Sequence, residues 1–189
     1  MRKATELAEA ISPCVLWVDE LEKAFAGIGG EGSGAEVTTR LFGSFLTWLQ
    51  EKESPVFVVA TANDITKLPP ELLRKGRFDE IFYVSLPNRE ERRKIFEIHI
   101  AKRRKDDLPS ITREMDSILS KTEGYSGADI EGVVREAVEY AFAGGKPCLE
   151  ATDIIQAIGN THSLSEIMKE PIEKMQKEYK DRKFKNASK

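Results

Sequence analysis

Two hydrophobic rhythms run along this chain, and the change from one to the other divides it. Residues 2–10 carry charges at helical spacing and predict an amphipathic helix end, with Leu7 and Ala8 on one face. Ile11-Ser12-Pro13 closes it, because the residue before a proline avoids helical geometry. Cys14-Val15-Leu16-Trp17-Val18 is a continuous apolar run ended by Asp19-Glu20. Such a run predicts a strand buried on both faces, as in a parallel sheet. A glycine-rich loop is expected at 27–34. Residues 36–51 return to helical period and set Val37, Leu41, Phe45, Trp48 and Leu49 on one stripe. Residues 55–60 read as a second buried strand, 61–70 as loop, 71–73 as a helical turn and 81–84 as a short third strand.

Beyond Pro87 only helical period remains, predicting helices over 89–104, 111–121, 126–143, 150–159 and 164–180. Ser126 followed by Asp129 resembles a capping box, with aspartate in place of the usual glutamate. Gly144-Gly145-Lys146-Pro147 is a stop signal. The fold class is therefore α/β, a parallel-sheet portion followed by an all-helical one. The change of character falls near residues 85–88. The expected parts are an α/β core over 1–87, a helical domain over 88–160, and a C-terminal helix with a basic tail over 161–189.

Bulk properties narrow the function classes. The 189 residues are 40% hydrophobic and 32% charged, with a net charge of −3. That balance gives no global attraction to nucleic acid or to an anionic membrane. No apolar run approaches the roughly 20 residues of a membrane helix, and the N-terminal pattern is not a secretory signal. Two cysteines, Cys14 and Cys148, make neither a zinc site nor a disulfide framework, so a reducing interior is expected.

The chemistry lies at the ends of the predicted strands. Val15-Leu16-Trp17-Val18-Asp19-Glu20 delivers two adjacent carboxylates where open parallel sheets bind ligands. One can hold a magnesium ion through water, and its neighbour can orient or deprotonate an attacking water. Val59-Ala60-Thr61-Ala62-Asn63 ends the second strand, and a neutral amide there can position water without adding charge. Leu72-Leu73-Arg74-Lys75-Gly76-Arg77-Phe78-Asp79 sets two arginines around a glycine, each a planar fork suited to phosphate oxygens. Taken singly, each also has a plain reading: a solvated strand end, a turn asparagine and a basic surface loop.

Their order resembles the second region of homology of the AAA clade of AAA+ ATPases, and the resemblance spans roughly residues 4–160. It implies a truncated AAA+ core without its P-loop strand, followed by the helical lid. It further implies ATP and Mg2+ as cofactors. Asp19 then matches the Walker B magnesium ligand, Glu20 the catalytic glutamate, Asn63 sensor 1, and Arg74 and Arg77 the paired arginine fingers. Such fingers reach a neighbouring subunit's nucleotide, which implies self-association into a ring, usually a hexamer. Arg40 matches an arginine of the same region, a candidate intersubunit contact. His99, in Ile95-Phe96-Glu97-Ile98-His99, resembles the histidine beside adenine and ribose. Gly124-Tyr125-Ser126-Gly127-Ala128-Asp129 resembles the lid motif GxSGAD, in which Gly127 and Ala128 lie against the nucleotide. Residues 8–25, the Leu164-Ser165 segment and the basic tail resemble a subgroup encoded in algal plastids and cyanobacteria. The expected compartment is thus the cytoplasm, or the stroma for a plastid relative.

Departures matter as much. No GxxxxGK[ST] occurs, and the glycines at 27–34 follow the first strand with no lysine among them, so they cannot cradle phosphate. The chain is expected to be a fragment, inactive alone, with two open sheet edges that favour domain swapping, self-association or rearrangement. Glu80 stands where many relatives carry arginine. The tail over 177–189 has six Lys/Arg against two acids and reads as a solvated helix end and frayed terminus, or as a weak partner-binding tail. The leading function is an ATP-driven remodeller of a protein substrate that the sequence does not identify. Its rival is a non-catalytic module assembling through the AAA interface. No HExxH supports a protease, and no basic stripe supports a nucleic-acid partner.

Overall fold

The structure, a computed structural model, describes residues 2–26, 33–74, 76–182 and 184–188. Most of the predicted glycine-rich loop, residues 27–32, lies outside the described residues, and Ser33 and Gly34 open a helix instead. The chain forms two compact units, Met1–Glu80 and Ile81–Lys189.

The first unit runs α1 (Arg2–Ala10), β1 (Cys14–Val18), a short α2 (Leu21–Ala24), α3 (Ser33–Glu51) and β2 (Val56–Ala60), then 3-10 turns at Ile65–Lys67 and Pro70–Leu73. β1 and β2 pair in parallel, in register from Cys14↔Val56 to Val18↔Ala60. Parallel neighbours need a long crossover, and α3 lies within it. Its Phe42, Phe45, Leu46 and Leu49 bury with Leu21, Phe25 and Leu72 beneath Val18, Val58 and Ala60. Phe25 meets Phe42 edge-on, with centroids 5.0 Å apart.

Three expectations are corrected here. The strands are not buried on both faces: Val15, Trp17 and Phe57 are 66%, 68% and 69% exposed. Successive strand residues face opposite ways, and the described helices cover only the face of Val18 and Val58. The buried stripe of α3 is also displaced. Phe42, Phe45, Leu46 and Leu49 follow i, i+3, i+4, i+7, whereas Val37 and Leu41 are exposed, Leu41 lying one residue, about 100°, off that line. On α1, Thr5 and Ala8 are buried and Leu7 is exposed, since adjacent helical residues do not share a face. The Trp48 indole donates to Glu9 Oε1 at 2.9 Å and ties α1 to α3.

The second unit runs β3 (Phe82–Tyr83), α4 (Arg89–Arg104), α5 (Leu108–Arg113), α6 (Met115–Ser120), α7 (Gly127–Ala143), α8 (Ala151–Asn160), α9 (Leu164–Ile167), α10 (Lys169–Asp181) and β4 (Lys185–Asn186). Phe96, Ile100, Ile118, Ile130, Val133 and Ile154 are fully buried at its centre. Capping boxes open α4 at Asn88 and Glu91, and α7 at Ser126 and Asp129. The helix predicted over 111–121 is two, because the chain turns at Glu114. Ile111, Met115, Ile118 and Leu119 keep their spacing and burial across the turn, so period alone reads them as one helix. The helix predicted over 164–180 breaks at Met168. Pro171 explains it: inside a continuous helix its ring would clash with the Ile167 carbonyl, but the first turn of α10 tolerates it.

The third strand forms over Phe82–Tyr83 and pairs in parallel with β4, Phe82 opposite Lys185 and Tyr83 opposite Asn186. The tail is therefore not simply a frayed terminus, although Lys183 and Lys189 lie outside the described residues. No helix among the described residues is long and apolar enough to cross a membrane.

Asp107 links two elements of this unit. Its carboxylate accepts the Leu149 amide at 2.9 Å and Arg104 Nε at 2.8 Å. The Leu149 amide first, and then the Arg104 guanidinium, holds its pKa below the usual carboxylate value. A depressed folded pKa stabilises the native state above the unfolded value, about 3.9, and that contribution is lost as pH falls through the folded pKa. Asp107→Ala is expected to cost about 1–3 kcal/mol near neutrality. The difference from the parent in urea unfolding should shrink towards zero as pH drops below about 4. A pH-independent difference would show that the carboxylate's charge is not what matters.

Candidate active site

Parallel pairing brings the C-terminal ends of β1 and β2 side by side, and there the predicted carboxylates and amide meet. The Thr61 hydroxyl donates to Asp19 Oδ1 and accepts the Glu20 amide at 3.1 Å. Thr61 also donates its amide to the Val18 carbonyl at 3.0 Å and accepts the Leu21 amide on its own carbonyl at 2.8 Å. It is the staple between the strand ends, and sequence reasoning passed over it. The available signal was a hydroxyl directly after an apolar run, opposite a second run ending in acids. Asn63 Nδ2 donates to Glu20 Oε1 at 3.2 Å, and its amide donates to Glu22 Oε1 at 3.2 Å. Lys23 Nζ lies 2.6 Å from Glu20 Oε1, and this bond raises the lysine's pKa.

Glu20 itself sits at φ 50°, ψ 53°, in the left-handed region. For a residue with a Cβ this costs on the order of 1–3 kcal/mol. The turn from β1 into α2 imposes that backbone, and the bonds from Thr61, Asn63 and Lys23 hold it. The result is an exposed Asp19 beside a half-buried, strained Glu20 fixed by an amide and an ammonium. Among the described residues no group of three or more His, Cys, Asp or Glu side chains could hold a metal by itself. Asp19 is exposed and could take one position on a magnesium ion that keeps most of its waters. It fits the cation and water side of phosphoryl chemistry. These 189 residues contain no GxxxxGK[ST] sequence.

The two arginines are not equivalent. Arg74 follows the Pro70–Leu73 turn and is exposed. Arg77 folds back half-buried: its Nη1 donates to the Glu71 carbonyl, and its Nε is buried without a partner among the described residues. Between them Gly76 takes φ +88°, which favours glycine, while Lys75 lies outside the described residues. Arg40 is exposed on α3 and pairs with Glu36 at 3.1 Å, one turn earlier.

In the second unit, α4 and α7 share a seam. A Cβ on Gly127 would lie 4.0 Å from Ile95 Cδ1. One turn further, His99 Nδ1 lies 3.6 Å from Glu131 Oε1 and 3.3 Å from Arg103 Nη1. Arg103 Nη2 donates to the same Glu131 oxygen at 2.9 Å, and that bond is the main cause of Glu131's lowered pKa. His99 and Gly127 thus lie along one seam, with Ala128 exposed in the first turn of α7. The first turn of α7 is fastened to the start of α9: Asp129 Oδ2 accepts the Leu164 amide at 3.1 Å. Gly124 takes φ +78°, and a Cβ there would clash with Ser165 Oγ and lie 2.9 Å from Ser165 Cβ.

Gly124→Ala is therefore expected to destabilise this unit by about 1–3 kcal/mol, from backbone strain plus overpacking. Adding Ser165→Gly should restore the packing share and leave the backbone share. Urea midpoints of the two variants and the parent check this, and no recovery in the double variant would remove the clash from the account.

Comparison with known proteins places both units. Residues 1–86 match the model of the ATPase family associated with various cellular activities (AAA). Residues 114–156 match that of the AAA+ lid domain. The chain is 44% identical over 188 residues to the "Uncharacterized AAA domain-containing protein ycf46" of Pyropia yezoensis, covering 100% of this chain and 37% of that protein. It is 37% identical over 140 residues to the cell division cycle protein 48 homolog of Archaeoglobus fulgidus, covering 72% of this chain and 18% of that one. To the proteasome-activating nucleotidase of Sulfurisphaera tokodaii it is 34% identical over 161 residues, covering 84% and 40%. The chain spans less than two fifths of the length of the ycf46 relatives it matches.

Proposed function

The chain belongs to the AAA ATPase family, and on that premise we propose that it supplies the hydrolysis and lid parts of a machine that couples ATP hydrolysis to remodelling of a protein partner. The observation that carries this reading is the bonded cluster of Asp19, Thr61, Glu20 and Asn63 at two parallel strand ends. In this reading Asp19 would hold magnesium. Glu20 accepts a proton from the attacking water, and the Asn63 amide fixes the carboxylate that does so. Magnesium, when bound, neutralises charge on the phosphates. Arg74 extends to a neighbouring subunit's nucleotide in a ring, a hexamer in the proposed assembly. Arg77 shapes the loop that presents Arg74, through the Glu71 carbonyl, and Arg40 lies at the same subunit boundary. His99, Gly127 and Ala128 offer the lid's contacts to the nucleoside. The working compartment is the cytoplasm or a plastid stroma.

The second reading is a non-catalytic module that assembles through the same surfaces. Calorimetry with ATP and magnesium separates the two. The 189-residue chain is expected to bind no ATP, and a longer protein with a phosphate loop to bind and hydrolyse it. A longer protein that binds ATP and never turns it over would leave the module reading standing. Tight binding by the 189-residue chain would mean that other residues hold phosphate.

A further inference from the structure

We propose that Thr61 is the positioning residue of the strand-end site. Its one hydroxyl aims the Asp19 carboxylate, leaves Oδ2 as the oxygen open to a cation, and holds the backbone that turns Glu20 towards Asn63. The inference rests on the reading of Asp19 as cation ligand and Glu20 as proton acceptor, and deepens it.

Adjacent residues of a continuing strand send their side chains to opposite faces, so two neighbouring carboxylates do not ordinarily serve one site. Here both bond to the same short segment. Thr61 Oγ1 donates to Asp19 Oδ1, and two residues further on Asn63 Nδ2 donates to Glu20 Oε1 at 3.2 Å. The left-handed backbone of Glu20, φ 50°, ψ 53°, ends the alternation. Thr61 Oγ1 accepts the Glu20 amide at 3.1 Å and so holds that backbone. The main chain of Thr61 brackets the same turn: its amide donates to the Val18 carbonyl at 3.0 Å, and its carbonyl accepts the Leu21 amide at 2.8 Å.

The partners fix where the hydroxyl proton goes. A threonine hydroxyl has one proton and two lone pairs. The Glu20 amide can only donate, so it occupies a lone pair. An ionised Asp19 can only accept, so it takes the proton, on Oδ1. Among the described residues Asp19 Oδ2 makes no hydrogen bond, and it is the oxygen left to face a cation. A hydrogen-bonded group behind a ligating carboxylate sets the orientation of that carboxylate, and its loss costs about 10–100-fold in metal affinity or activity. The two main-chain bonds of Thr61 do not depend on its side chain. Removing the hydroxyl alone therefore separates a positioning role from a merely structural one.

Thr61→Val removes the hydroxyl and keeps the shape, whereas Thr61→Ser keeps the hydroxyl. In the 189-residue chain, hydrogen exchange followed by NMR should show the Glu20 amide exchanging about tenfold faster with valine and near the parent rate with serine. With manganese(II) alone as the probe, paramagnetic broadening of the Asp19 resonances in the same chain should need about 10–100-fold more metal with valine, and serine should restore the parent titration. Unchanged exchange with valine would overturn the hold on Glu20, and an unchanged manganese titration would overturn the aiming of Asp19. In a longer protein with a phosphate loop, valine should raise the magnesium concentration for half-maximal turnover by about the same factor, with rescue by serine. Slower turnover at an unchanged magnesium requirement would overturn the positioning role. A parent protein that turns over no ATP would instead sink the ATPase reading, and the exchange and manganese measurements would still decide the role of Thr61. Should Thr61→Val not fold, Thr61→Ala removes the same hydroxyl from this exposed position and takes its place.

Discussion

Arg74→Ala, made in a longer protein that carries the phosphate loop, is expected to cut ATP turnover by about 10³–10⁵-fold, the loss that follows removal of a trans-acting arginine. ATP binding by the substituted subunit itself should change little if, as proposed, the guanidinium serves its neighbour. The contrast between the two arginines makes the prediction specific. Arg74 is exposed on a loop held by a 3-10 turn, whereas Arg77 is committed to the Glu71 carbonyl. Arg77→Ala should therefore first loosen the loop, lowering the first unit's thermal midpoint, and reduce turnover through Arg74's misplacement. Mixing tests the trans assignment. Subunits with Arg74→Ala keep Glu20, and subunits with Glu20→Gln keep Arg74. A mixed ring therefore contains sites with both groups intact and should recover part of the activity that neither variant has alone. If the mixture stays as inactive as its parts, Arg74 does not act across a subunit boundary.

Adjacent carboxylates, a downstream amide and paired arginines were legible in the sequence because chemistry at strand ends is written in residue type and order. What the sequence could not show was how those groups are held. Thr61 carries four of the bonds that join the strand ends, yet a threonine after an apolar run is common enough to pass unnoticed. Lys23 reaches Glu20 only because the left-handed turn at Glu20 starts α2 there. The inequality of Arg74 and Arg77 depends on which side chain folds back onto the turn, and residue spacing does not encode that. The helical unit was read closely wherever caps mark its ends, as at Asn88 and Ser126. It was misread where a break preserves the apolar spacing, as at Glu114. Pro171 was the one visible warning of the break at Met168. The exposed Trp17 and Phe57 show the limit of composition: an apolar run states what a strand could bury on each face, and only the packed helices determine which face is covered.

Glu20→Gln in the same longer protein is expected to lower turnover by about 10²–10⁴-fold, the usual contribution of a positioned general base, with ATP binding retained. Glutamine keeps the length and shape of the side chain and can still accept from Asn63 Nδ2, so the loss would measure proton acceptance. Its neutral amide also removes the ion pair that raises the pKa of Lys23, which should return towards the ordinary lysine value. Glu20→Gly removes the same carboxylate together with the Cβ that makes φ 50° costly. Turnover should fall at least as far, yet the first unit should be no less stable than with Glu20→Gln, because relief of the backbone opposes the lost side-chain bonds. Urea unfolding of the two variants makes the comparison. Equal or greater stability with glycine would mean that the strand end holds its carboxylate in a conformation the fold alone would not choose, a cost that catalysis justifies. A clear loss of stability with glycine would mean that the Asn63 and Lys23 bonds outweigh the strain, making the left-handed turn a product of those bonds.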